Sequence, residues 1–277
     1  MQKLFNNILV PLCVNGRSNG AIEKAIQFAN QLQCNLHLIG ISAGSSFVHG
    51  NDRIILNRNG YQGLAEKKFK LAELQTKYCQ LLDKGLMLSI YFGKGEPEET
   101  ISTYAALHHV DLVLMVNDQR RFSFLPPVIN ANRLAGKTNC PVLTLKSDPI
   151  LSGLKIIVMP VGKSLPINKI RVAAYLAKHY DASIHLITRE KNALMYEELA
   201  YMQKALQVLK DNTDLPVKCK TLSGESIGNI ALQYAQEVKA GLILVNPGSE
   251  SSLPGLLNRL FSRFVFNESK IPVMTVA

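Results

Sequence analysis

The sequence predicts an α/β fold written twice: two tandem domains, each a five-stranded, Rossmann-like parallel sheet covered by helices. Three observations lead there. Similar blocks recur in the same order; within each copy, strand-like apolar runs alternate with amphipathic stretches; and several of those runs are apolar throughout. ILVPLC (Ile8–Cys13) and NLHLIGI (Asn35–Ile41) return as IIVMPV (Ile156–Val161) and SIHLIT (Ser183–Thr188). Ungapped, Ile8 answers Ile156 and His37 answers His185, both 148 residues apart. GEPEETISTYAALHHVDLVLMVN (Gly95–Asn117) returns as GESIGNIALQYAQEVKAGLILVN (Gly224–Asn246) at a spacing of 129, and NCPVLTL (Asn139–Leu145) as KIPVMTV (Lys270–Val276) at 131. Order is kept while spacing drifts between blocks, as duplication followed by loop change would leave it. The boundaries expected are 1–147 and 154–277, with Pro149 and Gly153 punctuating the linker.

In the first copy, strands are predicted at about 7–13, 35–41, 86–92, 111–116 and 140–146, and helices at about 19–33, 64–84, 97–109 and 129–137. In the second, strands fall at about 155–161, 182–188, 216–222, 241–245 and 271–276, and helices at about 166–180, 192–212, 226–239 and 254–266. Ala21, Ala25, Phe28, Ala29 and Leu32 form an apolar stripe on the first helix, as Ile170, Ala173, Ala174 and Ala177 do on its counterpart. Small residues in both stripes let a helix lie close to a sheet. DLVLMV and GLILV lack polar alternation, so both faces of those strands are predicted to be buried. The copies differ most at Ser42–Gly63, a long insertion after the second strand, where open α/β sheets bind ligands.

Bulk composition narrows the function. The 277 residues are 47% hydrophobic and 19% charged, which is ordinary for a globular chain. No run approaches the roughly 20 apolar residues of a membrane span, and the start lacks a signal-peptide pattern, so a cytoplasmic protein without membrane partners is expected. Five scattered cysteines, none in a CxxC pair, argue against a disulfide framework or a zinc site. Cys13, Cys140 and Cys219, in or beside strands, read as small hydrophobes. The net charge of +10 invites a nucleic-acid reading, but its clusters (Lys67, Lys68 and Lys70; Arg120 and Arg121) are short and carry no RNA-binding or zinc-finger signature. A solvated basic surface is preferred.

No catalytic constellation stands out. His37 and His185 hold matching places, and no serine, cysteine or acid motif accompanies them; a shared packing role is the simpler account. Glu96, Glu98 and Glu99 open one helix and Glu225 its counterpart, where acids complement the helix dipole. Pro97 suits the first helical position, and His108 and His109 suit a helix C-terminus. GxSxG, GxxxxGK[ST], HExxH and GxGxxG are absent as placed motifs, so no enzyme is expected.

The VP ending the first strand, the GEP and GES turns and the closing CPVLTL and IPVMTV strands, occurring twice in order, resemble the universal stress protein family. The resemblance covers nearly the whole chain. It implies strand order 3-2-1-4-5 and, for a tandem member, pairing of the two last strands as an intramolecular pseudo-dimer, alone or as a homodimer of such units. One branch of that family binds ATP, through an Asp ending the first strand and a Gly-x2-Gly-x9-Gly-Ser/Thr loop whose amides cradle phosphate. Here the Asp position falls at Cys13 and at Val161. The first copy has no glycine between Asn117 and Gly136, and Pro126 and Pro127 remove amide donors. The second keeps Gly248 and Gly255, with six intervening residues rather than two, in NPGSESSLPGLLNRLF; the Gly-Ser place falls at Arg259–Leu260 or, with a gap, at Ser262.

The leading expectation is a non-enzymatic binding or regulatory protein of the stress response, without cofactor, acting on a protein partner or small ligand. The alternative binds ATP or AMP in the second domain through Gly248, Ser249, Gly255 and Ser262, with slow hydrolysis. A third expectation is polyanion binding through the basic surface, tested by its salt dependence.

Overall fold

The computed structural model describes residues 3–12, 19–42, 73, 75–117, 129–146, 153–190, 195–224, 226–247 and 271–277. In chain order the elements are β1 (Asn7–Leu12), α1 (Asn19–Leu32), β2 (Asn35–Ser42), a 3-10 turn (Cys79–Leu81), β3 (Leu88–Lys94), α2 (Pro97–Leu107), β4 (Leu112–Asn117), α3 (Ala131–Thr138) and β5 (Val142–Lys146). The second copy continues with β6 (Ile156–Pro160), α4 (Ile167–Tyr180), β7 (Ser183–Glu190), α5 (Met195–Asn212), β8 (Val217–Ser223), α6 (Ile227–Glu237), β9 (Leu242–Val245) and β10 (Val273–Thr275). The helix expected at 254–266, residues 64–72 of the one expected at 64–84, the linker centre and the insertion beyond Ser42 lie outside the described residues.

The strands run β3-β2-β1-β4-β5 in the first copy and β8-β7-β6-β9-β10 in the second, the 3-2-1-4-5 order in each. Described pairings within a copy are parallel, and β5 meets β10 antiparallel, with Leu143 opposite Met274. Contacts divide the chain into two compact units, one mainly Phe5–Leu114 and the other mainly Asn130–Ala277, so β5 and β10 belong to the same unit.

The strands fold as their composition requires. Leu112, Val113 and Leu114 of β4 and all four residues of β9 are buried, as expected for strands sandwiched between helices. The predicted stripes meet these sheets: Ala25, Phe28, Ala29 and Leu32 on α1, and Ile170, Ala173, Ala174 and Ala177 on α4, are buried. Ala21 is half-buried, and Ile22 joins the stripe in its stead. Cysteine burial is mixed. Cys34 and Cys140 are buried thiols, whereas Cys219 is exposed on β8, contrary to the reading of it as a small core hydrophobe. A strand at the rim of a sheet lacks a neighbour to cover such a side chain.

The strand register corrects the repeat alignment. Asn7 lies opposite Asn35 in β1–β2, and Ile156 opposite Ser183 in β6–β7. First strands therefore correspond at a spacing of 149 and second strands at 148, so a one-residue gap is needed and Pro11 matches Pro160. The position matching Cys13 becomes Gly162 rather than Val161.

A second offset lies in the third βα unit. Gly95 and Gly224 both take positive φ, 129 residues apart. The helix caps Glu96 and Ser226 and the left-handed residues His109 and Lys239, however, are 130 apart. One extra residue, Glu225, separates glycine from cap in the second copy; it lies outside the described residues, and α6 has no acid in its first turn. In α2 the expectation holds: the Glu96 carboxylate accepts from the Glu99 amide at 2.8 Å, and Pro97 stands at the helix start.

Candidate functional site

Two polar arrangements are buried deeply enough to matter. The first is a histidine–tyrosine pair present in both copies. His37 on β2 and His185 on β7 turn into the core, 9% and 3% exposed. The Nδ1 of His37 lies 3.0 Å from the hydroxyl of Tyr104 on α2, and that of His185 3.0 Å from the hydroxyl of Tyr234 on α6. Burial pushes both tyrosine hydroxyls up from their ordinary range, aided by Tyr91 beside Tyr104 and by Glu237 beside Tyr234, so both stay protonated donors. Each histidine then accepts at Nδ1 and carries its proton on Nε2. In the second copy that Nε2 faces the Ser183 hydroxyl at 3.3 Å, which itself donates to the Lys155 carbonyl at 3.2 Å.

Both imidazoles are held below their usual pKa, His37 by burial and then by His108, His185 by burial and then by Lys218 and Lys220. A neutral, tautomer-locked imidazole bonded to a phenol is a packing device. The pairs hold helix against sheet. His108, the cap residue following α2, stacks on Tyr104 with ring centroids 4.0 Å apart.

The tyrosines escaped sequence reasoning because the ungapped spacing of 129 sets Gln233 opposite Tyr104. Sliding the helix by one residue aligns Tyr104 with Tyr234 and Ala105 with Ala235, a signal the sequence carried.

The second arrangement lies at the carboxyl end of β6, where a sheet of this type takes ligands. Lys169, third residue of α4, is 1% exposed and donates from Nζ to the Pro160 carbonyl at 2.6 Å. Thr188 near the end of β7 donates from Oγ1 to the next carbonyl, Val161, at 3.1 Å and lies 3.5 Å from the Glu198 carboxylate. Glu198 on α5, 4% exposed, sits 3.6 Å from the Arg189 guanidinium. Two successive carbonyls leading to Gly162 are thus taken by the chain's own buried donors. In the first copy the same element positions hold Ala21, third in α1, and Gly40, sixth in β2. A lysine in a helical turn reads as surface from sequence alone, and nothing marked this one as buried.

The expected ligand residues Gly248, Ser249, Gly255 and Ser262, together with Cys13, Pro126 and Pro127, lie outside the described residues. Val161 is described and fully buried. Among the described residues no group of three His, Cys, Asp or Glu side chains converges to hold a metal, and no helix is long and apolar enough to cross a membrane.

No protein-family model and no curated protein matches the chain. Solved structures do. A universal stress protein from Archaeoglobus fulgidus DSM 4304 superposes with a TM-score of 0.70 at 14% identity, over 98% of this chain and 96% of that one. A putative universal stress protein from Pseudomonas aeruginosa UCBPP-PA14 gives 0.58 at 17% identity, over 99% and 94%. A functionally unknown protein, PA1789 from Pseudomonas aeruginosa PAO1, gives 0.57 at 18% identity, over 99% and 93%. Each match runs through both copies of this chain. The chain has the fold of a tandem universal stress protein.

Proposed function

We propose that the protein is a non-enzymatic binding protein of the universal stress type, built of copies 1–147 and 154–277, in which the second copy does not take ATP in the family's usual way. The observation that carries this reading is the buried pair Lys169 and Thr188, which satisfies the carbonyls of Pro160 and Val161 at the strand end where the resemblance puts the nucleotide-holding Asp. The residue in that place, Gly162, has no carboxylate to offer base or ribose. The His–Tyr pairs supply no catalytic group, which supports a binding role over a hydrolytic one. A protein partner or small ligand is the proposed client, within the cytoplasm.

Thermal-shift titration with ATP, AMP and Mg²⁺ tests this. A ligand at one hundred times its dissociation constant stabilises by about 2.7 kcal/mol, so bound nucleotide is readily seen. The expected result is no shift at millimolar nucleotide. A saturable shift that Ser262→Ala or Gly255→Val abolishes overturns the reading in favour of adenine-nucleotide binding by the second copy.

A further inference from the structure

Strand β3 is the outer strand of the first copy and pairs, among the described strands, with β2 alone. The Leu36 amide donates to the Met87 carbonyl, so residues 87, 89 and 91 direct their backbone groups to β2 while 88, 90 and 92 direct theirs outward. The Gln75 side chain donates to the Leu88 carbonyl at 3.2 Å. Among the described residues, no hydrogen bond reaches the outward groups of Ile90 and Phe92. The segment Leu86–Gly93, LMLSIYFG, carries no charge, and Met87 and Tyr91 are 63% and 45% exposed. β3 carries its one charge, Lys94, at its last residue, and an outer strand uncharged along the rest of its length is a template for another strand.

The order of its side chains selects which strand. Tyr91 packs its ring 4.8 Å from that of Tyr104, and a Cβ on Gly93 would collide with Thr100, so residues 87, 89, 91 and 93 share the face covered by α2. That face reads large, small, large, small. The opposite face reads Leu88, Ile90, Phe92. Both readings are self-complementary about Ile90. Turned antiparallel on itself, the strand sets Met87 against Gly93, Ser89 against Tyr91, Leu88 against Phe92, and Ile90 against Ile90.

The equivalent outer strand of the second copy fails the same operation. β8 pairs with β7 as β3 does with β2, which places Lys218 at the position of Ser89 and Lys220 at that of Tyr91. Folded back on a second copy, it would oppose Lys218 with Lys220 twice on one face, and like charges directly opposite destabilise a strand pair. Joining β3 of one molecule to β8 of the next gives a head-to-tail contact that need not close.

We propose that β3 is the contact between two copies of this chain, an antiparallel pairing about a two-fold axis at Ile90. Ile90 exchanges both backbone bonds with Ile90 of the second copy. The Leu88 carbonyl exchanges its Gln75 donor for the Phe92 amide of the second copy. Burying Met87 and Tyr91 adds an apolar term to the ladder.

Light scattering coupled to size exclusion tests the proposal on the full chain. The wild type is expected at about twice 30.6 kDa. Ser89→Lys/Tyr91→Lys, which copies the charges of β8, is expected to halve the mass. Ile90→Pro does the same by a separate route: its amide points outward, so proline removes the intermolecular bond and no bond to β2. Circular dichroism and a thermal midpoint near wild type show which variants remain folded. A monomeric wild type at every concentration, or a dimer surviving in a folded variant, overturns the proposal.

Discussion

His37 and His185 are buried neutral imidazoles, and their titration gives the sharpest residue-scale consequence. Their folded pKa values lie below the ordinary 6.5, so between the two values the unfolded chain binds more protons than the folded one. Stability is therefore complete above about pH 6.5 and declines as pH falls through the lowered folded values. Urea midpoints measured from pH 8 to pH 5 are expected to drop, and to drop less in His37→Gln/His185→Gln; an equal decline in that variant would show that other groups govern it. Lys169 makes a second residue-scale case. Lys169→Met keeps the volume and leaves the Pro160 carbonyl without its buried donor, which costs about 1–3 kcal/mol of unfolding free energy. An unchanged denaturation midpoint would mean that the carbonyl finds another donor.

At the scale of elements, helix α3 is short and its ends decide it. The Asn130 side chain accepts from the amides of Asn132 and Arg133 at 3.0 and 3.2 Å, and Asn139 closes the helix in the left-handed conformation. Asn130→Ala is expected to destabilise by about 1 kcal/mol, read as a lower thermal midpoint. Much of this level was legible in the sequence, because apolar period and cap chemistry are local: Ala25, Phe28 and Leu32 on α1, and Pro97 after Glu96 on α2, lie where pattern put them. What was not legible depends on tertiary register. An ungapped comparison slid β1 and α2 by one residue against their counterparts, and that hid the Tyr104–Tyr234 match. Lys169 was hidden differently, since only the packed fold shows that its ammonium reaches a strand-end carbonyl. The loop of the alternative nucleotide reading, Gly248–Ser262, lies outside the described residues.

At the scale of the whole molecule, the antiparallel register of Val273, Met274 and Thr275 against Thr144, Leu143 and Val142 joins the last strand of each copy. Thr275 adds a 3.2 Å contact from its hydroxyl to the Asn132 side chain on α3, and Asn168 at the start of α4 donates to the carbonyl of Ala277 at 2.9 Å. Removing residues 273–277 strips β5 of this neighbour and uncovers Leu143, so the truncated chain is expected to lose cooperative unfolding and to aggregate on heating, followed by calorimetry and turbidity.

That antiparallel seam also bears on how the chain tolerates being cut. Severed in the linker around Pro149, the protein becomes two polypeptides, each ending in a strand that lacks its mate and each shaped to accept the other. Co-expressed as separate genes, the two pieces are expected to co-purify as a one-to-one complex, and a charge introduced at Leu143 or Met274 to keep them apart.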